Sequence, residues 1–233
     1  MTVWDVERQE RTQAVKMPLN MVTALSWCPG TEGLLVQAGE DVVSPLRLWD
    51  TRAGLSAGAA DVLKGYKDFP KCVDASSCGK YVLTGSNGFA GSGCEVWVWD
   101  RRATRTPLSV MRGHSEAVLA CAFSDGGQTS AGTRAGALPA MGGTAGGLVA
   151  VTGSKDGSVR VWDVDAAATL HVLDNGNRGP AQSLTRLSPR HPASEGSRFA
   201  LGSFDGSVHV CELGRVASDG DIPHLRCVLE ARP

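Results

Sequence analysis

Gly153-Ser154-Lys155-Asp156-Gly157-Ser158-Val159-Arg160-Val161-Trp162-Asp163 is the stretch on which the reading of the whole chain turns. Val149 and Val151 lead into Asp156-Gly157, and Val159 and Val161 alternate beyond it, so the segment reads as strand, tight turn, strand. An Asp-Gly pair between alternating β-branched residues is a strong hairpin signal, because glycine takes positive φ without steric cost. The hairpin ends in Trp-Asp, and Gly113-His114 stands upstream of it.

The same ending recurs along the chain as Val3-Trp4-Asp5, Leu46-Arg47-Leu48-Trp49-Asp50, Val96-Trp97-Val98-Trp99-Asp100 and a decayed Val208-His209-Val210-Cys211-Glu212. Successive Trp (or Cys211) positions are 45, 50, 63 and 49 residues apart. With Gly-His, Asp-Gly and Trp-Asp in that order, the unit resembles the WD40 repeat, one four-stranded blade of a β-propeller, whose period is about 40–45 residues. The resemblance implies an all-β WD40 β-propeller, here a partial, open arc of four full blades plus the last two strands of a preceding blade. It also implies a buried hydrogen-bonded chain, which carries over to His114, Thr152, Asp156 and Trp162. A buried indole N–H or imidazole left alone costs about 1–3 kcal/mol, so such groups are tolerable only when they satisfy one another. The set therefore reads as a structural network rather than a catalytic one.

The organisation expected from these repeats is residues 1–18 for the last two strands of an incomplete blade, 19–64 for blade one, 65–112 for blade two, 113–174 for blade three and 175–233 for a degenerate blade four. In blade one no Gly-His precedes the strands, and Ala38 stands where a Ser or Thr would complete the network. Its stability is then expected from packing. In blade two Gly65-Tyr66 replaces Gly-His, while Thr84 and Trp99 remain. Its hairpin is widened into Ser86-Asn87-Gly88-Phe89-Ala90-Gly91-Ser92-Gly93-Cys94-Glu95, which serves as a plain connection or as a partner-binding loop through Asn87, Gly88, Phe89 and Ser92. Blade three is interrupted at 126–147 by eight Gly and five Ala with Arg134 as the only charge, a composition expected to be a disordered loop. Blade four keeps Phe204-Asp205-Gly206 but has Leu201 and Cys211 in place of Thr and Trp.

Composition excludes other classes. Basic and acidic residues number 23 and 24, which leaves no electrostatic footprint for nucleic acid. No apolar run approaches the roughly 18 residues of a membrane-spanning helix, and the polar start is no signal peptide. The seven cysteines contain no Cys-x-x-Cys pair and read as reduced thiols of a reducing, cytoplasmic compartment. Gly142-Gly143-Thr144-Ala145-Gly146-Gly147 lacks the Gly-Lys-Ser/Thr of a phosphate loop. His209 and Cys211 share a strand face, but no further ligand stands nearby at metal spacing, so they read as core residues. No catalytic motif, cofactor, metal or small-molecule substrate is expected.

Three stretches narrow the resemblance to the family of WD repeat-containing protein 31. They are Met21-Val22-Thr23-Ala24-Leu25-Ser26-Trp27 leading to Leu46-Arg47-Leu48-Trp49-Asp50-Thr51-Arg52, the widened hairpin Ser86–Glu95, and Arg112-Gly113-His114. The match corresponds to the C-terminal part of that family. It implies a non-enzymatic scaffold for protein–protein interactions, in ciliary or flagellar assembly or trafficking, with no active-site residue to carry over. The second reading is a propeller subunit of a larger complex whose ring a partner chain completes. Two strands plus four blades leave open ends, so either the sequence is an N-terminally truncated product or a partner closes it. The Trp-Asp immediately after Met1 favours truncation.

Overall fold

The computed structural model describes residues 1–16, 21–41, 43–124, 148–174, 179–187, 197–213 and 225–231. The Gly/Ala stretch 126–147, expected to be disordered, lies outside the described residues. The rest is built from antiparallel sheets, each made of consecutive strands. A two-stranded sheet holds β1 (Thr2–Asp5) and β2 (Glu10–Ala14). Blade one holds β3 (Val22–Trp27), β4 (Leu34–Gly39), β5 (Leu46–Asp50) and β6 (Asp61–Leu63), with one turn of 3-10 helix at Leu55–Ala57. Blade two holds β7 (Pro70–Ala75), β8 (Tyr81–Ser86), β9 (Val96–Asp100) and β10 (Ser109–Met111). Blade three holds β11 (Val118–Ser124), β12 (Val149–Ser154), β13 (Ser158–Asp163) and β14 (Ala168–Asp174), and blade four β15 (Ala181–Leu187), β16 (Ser197–Ser203), β17 (Val208–Leu213) and β18 (Leu225–Ala231).

The blades stack through their first strands, β3 against β7, β7 against β11 and β11 against β15. Between them lie apolar layers such as Leu83, Val98 and Met111 of blade two with Val118, Phe123 and Trp162 of blade three. The β1–β2 ribbon seats Met1, Val3 and Val15 on Leu35, Trp49 and Leu55 of blade one. Gln13 pins it by donating from Nε2 to the Thr51 carbonyl (2.6 Å) and accepting the Leu55 amide at Oε1 (2.9 Å). First strands inside the arc are buried, but β3 leaves Leu25 and Trp27 in solvent and β15 is half-exposed along its length. Among the described residues the molecule is thus a row of four-stranded antiparallel blades stacked side by side, the architecture of a β-propeller.

Strand register aligns the blades residue for residue. Trp49, Trp99, Trp162 and Cys211 lie opposite Leu35, Val82, Ala150 and Phe199. Two residues along, Gln37, Thr84, Thr152 and Leu201 share one place. The sequence expectation for blade one is therefore off by one. Gln37 holds the network position, and Ala38 holds the next, where Gly85, Gly153 and Gly202 stand in the other blades. A single-residue slip matters because successive strand side chains point to opposite faces. The glycines have a packing reason: a Cβ on Gly85 would lie 2.6 Å from the Val118 Cβ of the next blade, and one on Gly153 would lie 2.8 Å from the Ala181 Cβ.

Candidate functional site

Neighbouring strands run in opposite directions, so second-to-third-strand hairpins and the segments entering each first strand share one rim. Blade three places its four expected residues together there. His114 enters ahead of β11, Thr152 sits on β12, Asp156 in the turn and Trp162 on β13. The His114 Nδ1 lies 3.0 Å from Asp156 Oδ2 and its Nε2 2.8 Å from Thr152 Oγ1, while Trp162 Nε1 donates to the same Oγ1 at 2.7 Å. The carboxylate accepts from Nδ1–H, Thr152 donates to Nε2, and its remaining lone pair takes the indole proton. Both ring nitrogens of His114 are engaged and the ring is enclosed, so it offers no lone pair to a substrate. Ser158, which sequence reading missed, donates to Asp156 Oδ1 at 2.6 Å. Gly113 is tied to this arrangement, since a Cβ there would approach Arg160 Nη1 to 2.7 Å and Trp162 Cη2 to 3.1 Å.

The other blades solve the same problem with different groups. In blade two the Tyr66 hydroxyl, expected to interrupt the set, replaces imidazole: it accepts from Trp99 Nε1 at 2.7 Å and lies 2.7 Å from Thr84 Oγ1. A phenol reaches as far as an imidazole and can both donate and accept. Burial pushes the Tyr66 hydroxyl well up from its ordinary value, outweighing its hydrogen bonds to Thr84 and Trp99. In blade one Trp49 Nε1 donates to Gln37 Oε1 at 2.8 Å. Blade one thus satisfies its tryptophan with one amide and does not rest on apolar packing alone. In blade four Ser207 donates to Asp205 Oδ1 at 2.6 Å, and its Oγ lies 2.8 Å from Nε2 of His209. The histidine has moved from the entering segment to the third strand, a substitution no motif signals.

The widened hairpin of blade two borders the blade-three network. Phe89 and Ser92 close a small bridge within the loop, and the Gly91 amide donates to the Ser115 carbonyl of blade three at 2.7 Å. The Asn87 amide donates to the Phe69 carbonyl at 2.9 Å. Gly88 lies so close to the Gly93–Cys94 backbone that any Cβ would collide with it. A cavity of about 260 Å³ opens beside the loop, lined by Lys67, residues 91–95 and Arg112-Gly113-His114. Glu95 pairs with Arg112 across 3.7 Å. The Cys94 thiol is held up by burial, countered in part by the Gly91 amide and reinforced by Glu116, Glu95 and Asp156. Among the described residues no group of three or more His, Cys, Asp or Glu is placed to hold a metal ion, and no helix is long and apolar enough to cross a membrane.

Burial works to raise the Asp156 carboxyl, but hydrogen bonds from His114 and Ser158 outweigh it and hold the group well below the usual carboxylate range. A carboxyl depressed in the folded state stabilises above its unfolded value of about 3.9, and that stability is lost as pH falls toward the folded value. Denaturant midpoints measured from pH 6 downward are therefore expected to fall more shallowly below about pH 5 in Asp156→Asn than in the parent chain. Parallel curves would show that Asp156 carries none of the acid sensitivity.

Residues 105–163 match the family described as WD domain, G-beta repeat. The chain is similar to B-type cell cycle switch protein ccs52B of Medicago truncatula, 26% identical over 70% of this chain and 28% of that protein. It is similar to anaphase-promoting complex subunit cdh1 of Dictyostelium discoideum, 27% identical over 61% of this chain and 15% of that protein. It is also similar to guanine nucleotide-binding protein subunit beta of Solanum tuberosum, 22% identical over 97% of this chain and 56% of that protein. The chain thus spans between 15% and 56% of the length of these relatives.

Proposed function

As a WD40-type β-propeller arc, we propose, this chain is a non-enzymatic scaffold that binds other proteins through one rim. One observation carries the reading. Three of the four second-to-third-strand hairpins hold a large apolar residue in solvent on that rim: Val43 (68% exposed), Phe89 (71%) and Phe204 (71%). Isolated exposed apolar residues are ordinary. Three in corresponding hairpins on one rim, with a cavity carrying Lys67 and Arg112 beside the Phe89 loop, form a surface suited to a protein partner. Asn87, Gly88, Phe89 and Ser92 belong to this surface, with Gly88 and Ser92 shaping the loop that presents Phe89.

The test compares the parent chain with a Val43→Ser/Phe89→Ser/Phe204→Ser variant and with Val6→Ser, which alters an exposed residue on the opposite rim. Surface changes away from special features stay within about 0.5 kcal/mol, so all three chains should melt alike. Tagged in cells, the triple variant is expected to lose partners that Val6→Ser retains. Identical partner sets for all three would overturn the rim assignment.

A second reading rests on the exposed Leu25 and Trp27 face of β3, which strands from another chain would cover in a larger complex. Leu25→Ser/Trp27→Ser would then release a co-purifying chain that the rim variant keeps. The resemblance of three stretches to the WD repeat-containing protein 31 family motivates the further proposal that this scaffold acts in ciliary or flagellar assembly or trafficking. A fluorescently tagged chain excluded from cilia would remove that placement.

A further inference from the structure

Blade four contains a cysteine pair beside a histidine whose second nitrogen is held by a serine–aspartate couple. Cys227 on β18 lies directly opposite Cys211 on β17, with a register irregularity between Val210 and Cys211. Cys227 is exposed and Cys211 is buried, 1% exposed. The Cys227 Sγ lies 3.6 Å from Nδ1 of buried His209. On the far side of the ring, Nε2 is 2.8 Å from Ser207 Oγ, which itself donates to Asp205 Oδ1 at 2.6 Å. Because the Ser207 proton is committed to the carboxylate, its oxygen accepts from Nε2–H. The lone pair of His209 is then on Nδ1, facing the thiol.

We propose that Cys227 is a peroxide-reactive thiol and Cys211 its resolving partner, so that oxidation staples the outer strand of blade four to its neighbour. His209 Nδ1 takes the Cys227 proton, and the thiolate sulfur attacks a peroxide oxygen. The O–O bond breaks, an S–O bond forms, and the proton leaves with the departing oxygen as water when the oxidant is hydrogen peroxide. Sulfur loses two electrons and peroxide gains them. The Cys211 sulfur then displaces the hydroxyl of the Cys227 sulfenic acid. The S–O bond breaks, the S–S bond forms, and the Cys211 proton leaves in a second water. The roles are unequal for a physical reason: Cys227 is exposed to peroxide while Cys211 is buried, and burial, reinforced by the adjacent Cys227 thiol, pushes the Cys211 thiol up to about 12. Opposite Cβ atoms on paired strands lie about 4.5–5.5 Å apart, slightly wider than the 3.5–4.5 Å of a disulfide. The register irregularity next to Cys211 supplies the local play that closing the bond requires.

The Asp205–Ser207 couple repeats Asp156–Ser158 of blade three, where the same geometry serves a histidine closed off from solvent. In blade four it serves a histidine that faces an accessible thiol. The chemistry therefore depends on relocating one imidazole within a conserved scaffold of contacts.

The experiment treats the full chain with hydrogen peroxide and follows each cysteine by dimedone trapping and alkylation with peptide mapping. Cys78, part-exposed and bonded to Ser76 without a histidine, is the reference inside the same molecule. Cys227 is expected to oxidise at least about tenfold faster than Cys78 and to end in a bond to Cys211, with the loss of two hydrogens in mass. In Cys211→Ser the sulfenic acid at Cys227 should persist and be trapped by dimedone. Ser207→Ala should slow Cys227 while leaving Cys78 unchanged, because it frees the histidine to place its proton on Nδ1. Equal rates at Cys227 and Cys78, or a Cys227 disulfide to any other thiol, would overturn the proposal.

Discussion

Thr152→Val is expected to remove about 2–6 kcal/mol of stability, although the two side chains have nearly the same shape. Among the described residues the Thr152 hydroxyl alone joins His114 Nε2 and Trp162 Nε1, and all three residues are buried. A methyl in its place strands both, at about 1–3 kcal/mol for each unsatisfied buried group. Domains have only about 5–15 kcal/mol in total, so the loss is a large fraction. Thermal melting should show a fall of roughly 5–15 °C for a chain of this size. Adding Trp162→Phe should recover part of the loss, since removing both partners of a buried hydrogen bond can be nearly neutral. A single-variant loss below about 0.5 kcal/mol, the range of ordinary surface changes, would mean that the network is not a source of stability.

Gly85→Ala tests the contact between blades in the opposite direction, by adding atoms. Its backbone is not in the left-handed region, so replacing glycine alone would stabilise by about 0.4–1 kcal/mol through the unfolded chain. The new methyl, however, would fall 2.6 Å from Val118 Cβ and 2.8 Å from Cys72 Sγ, both in rigid strands. Overpacking of this kind costs about 1–3 kcal/mol, so the net effect should be destabilising. Val118→Gly in the same chain, which removes that Cβ, should relieve much of the clash and give a coupling of favourable sign in a double-mutant cycle. Additive losses would place the strain elsewhere.

The fold was legible because its signal is local and repeated. Hairpin residues at Asp156-Gly157 and Asp205-Gly206, strand alternation and Trp-Asp endings lie within a few residues of one another. The blade-three network was legible for the same reason, since each of its members stands at a fixed offset within one repeat. What escaped was substitution across chemical types. Tyr66 takes the role of a histidine and Gln37 that of a threonine, because only reach and donor–acceptor capacity matter to a buried indole. Ala38 was misplaced since strand length alone does not fix register to one residue. His209 and Cys227 are separated along the chain, and nothing in a single sequence signals that the pairing of β17 with β18 brings them together.

Among the described residues each four-stranded sheet is drawn from consecutive strands, and none lends a strand to its neighbour. The blades are therefore joined in series, like links rather than like a weave. Pulled from its two ends, such a chain would lengthen in discrete steps, one blade at a time, instead of rupturing as a whole. In blade four, which has neither indole nor threonine in its third and second strands, a bond between Cys211 and Cys227 would tie the outer strand to its neighbour and set how far that link could stretch.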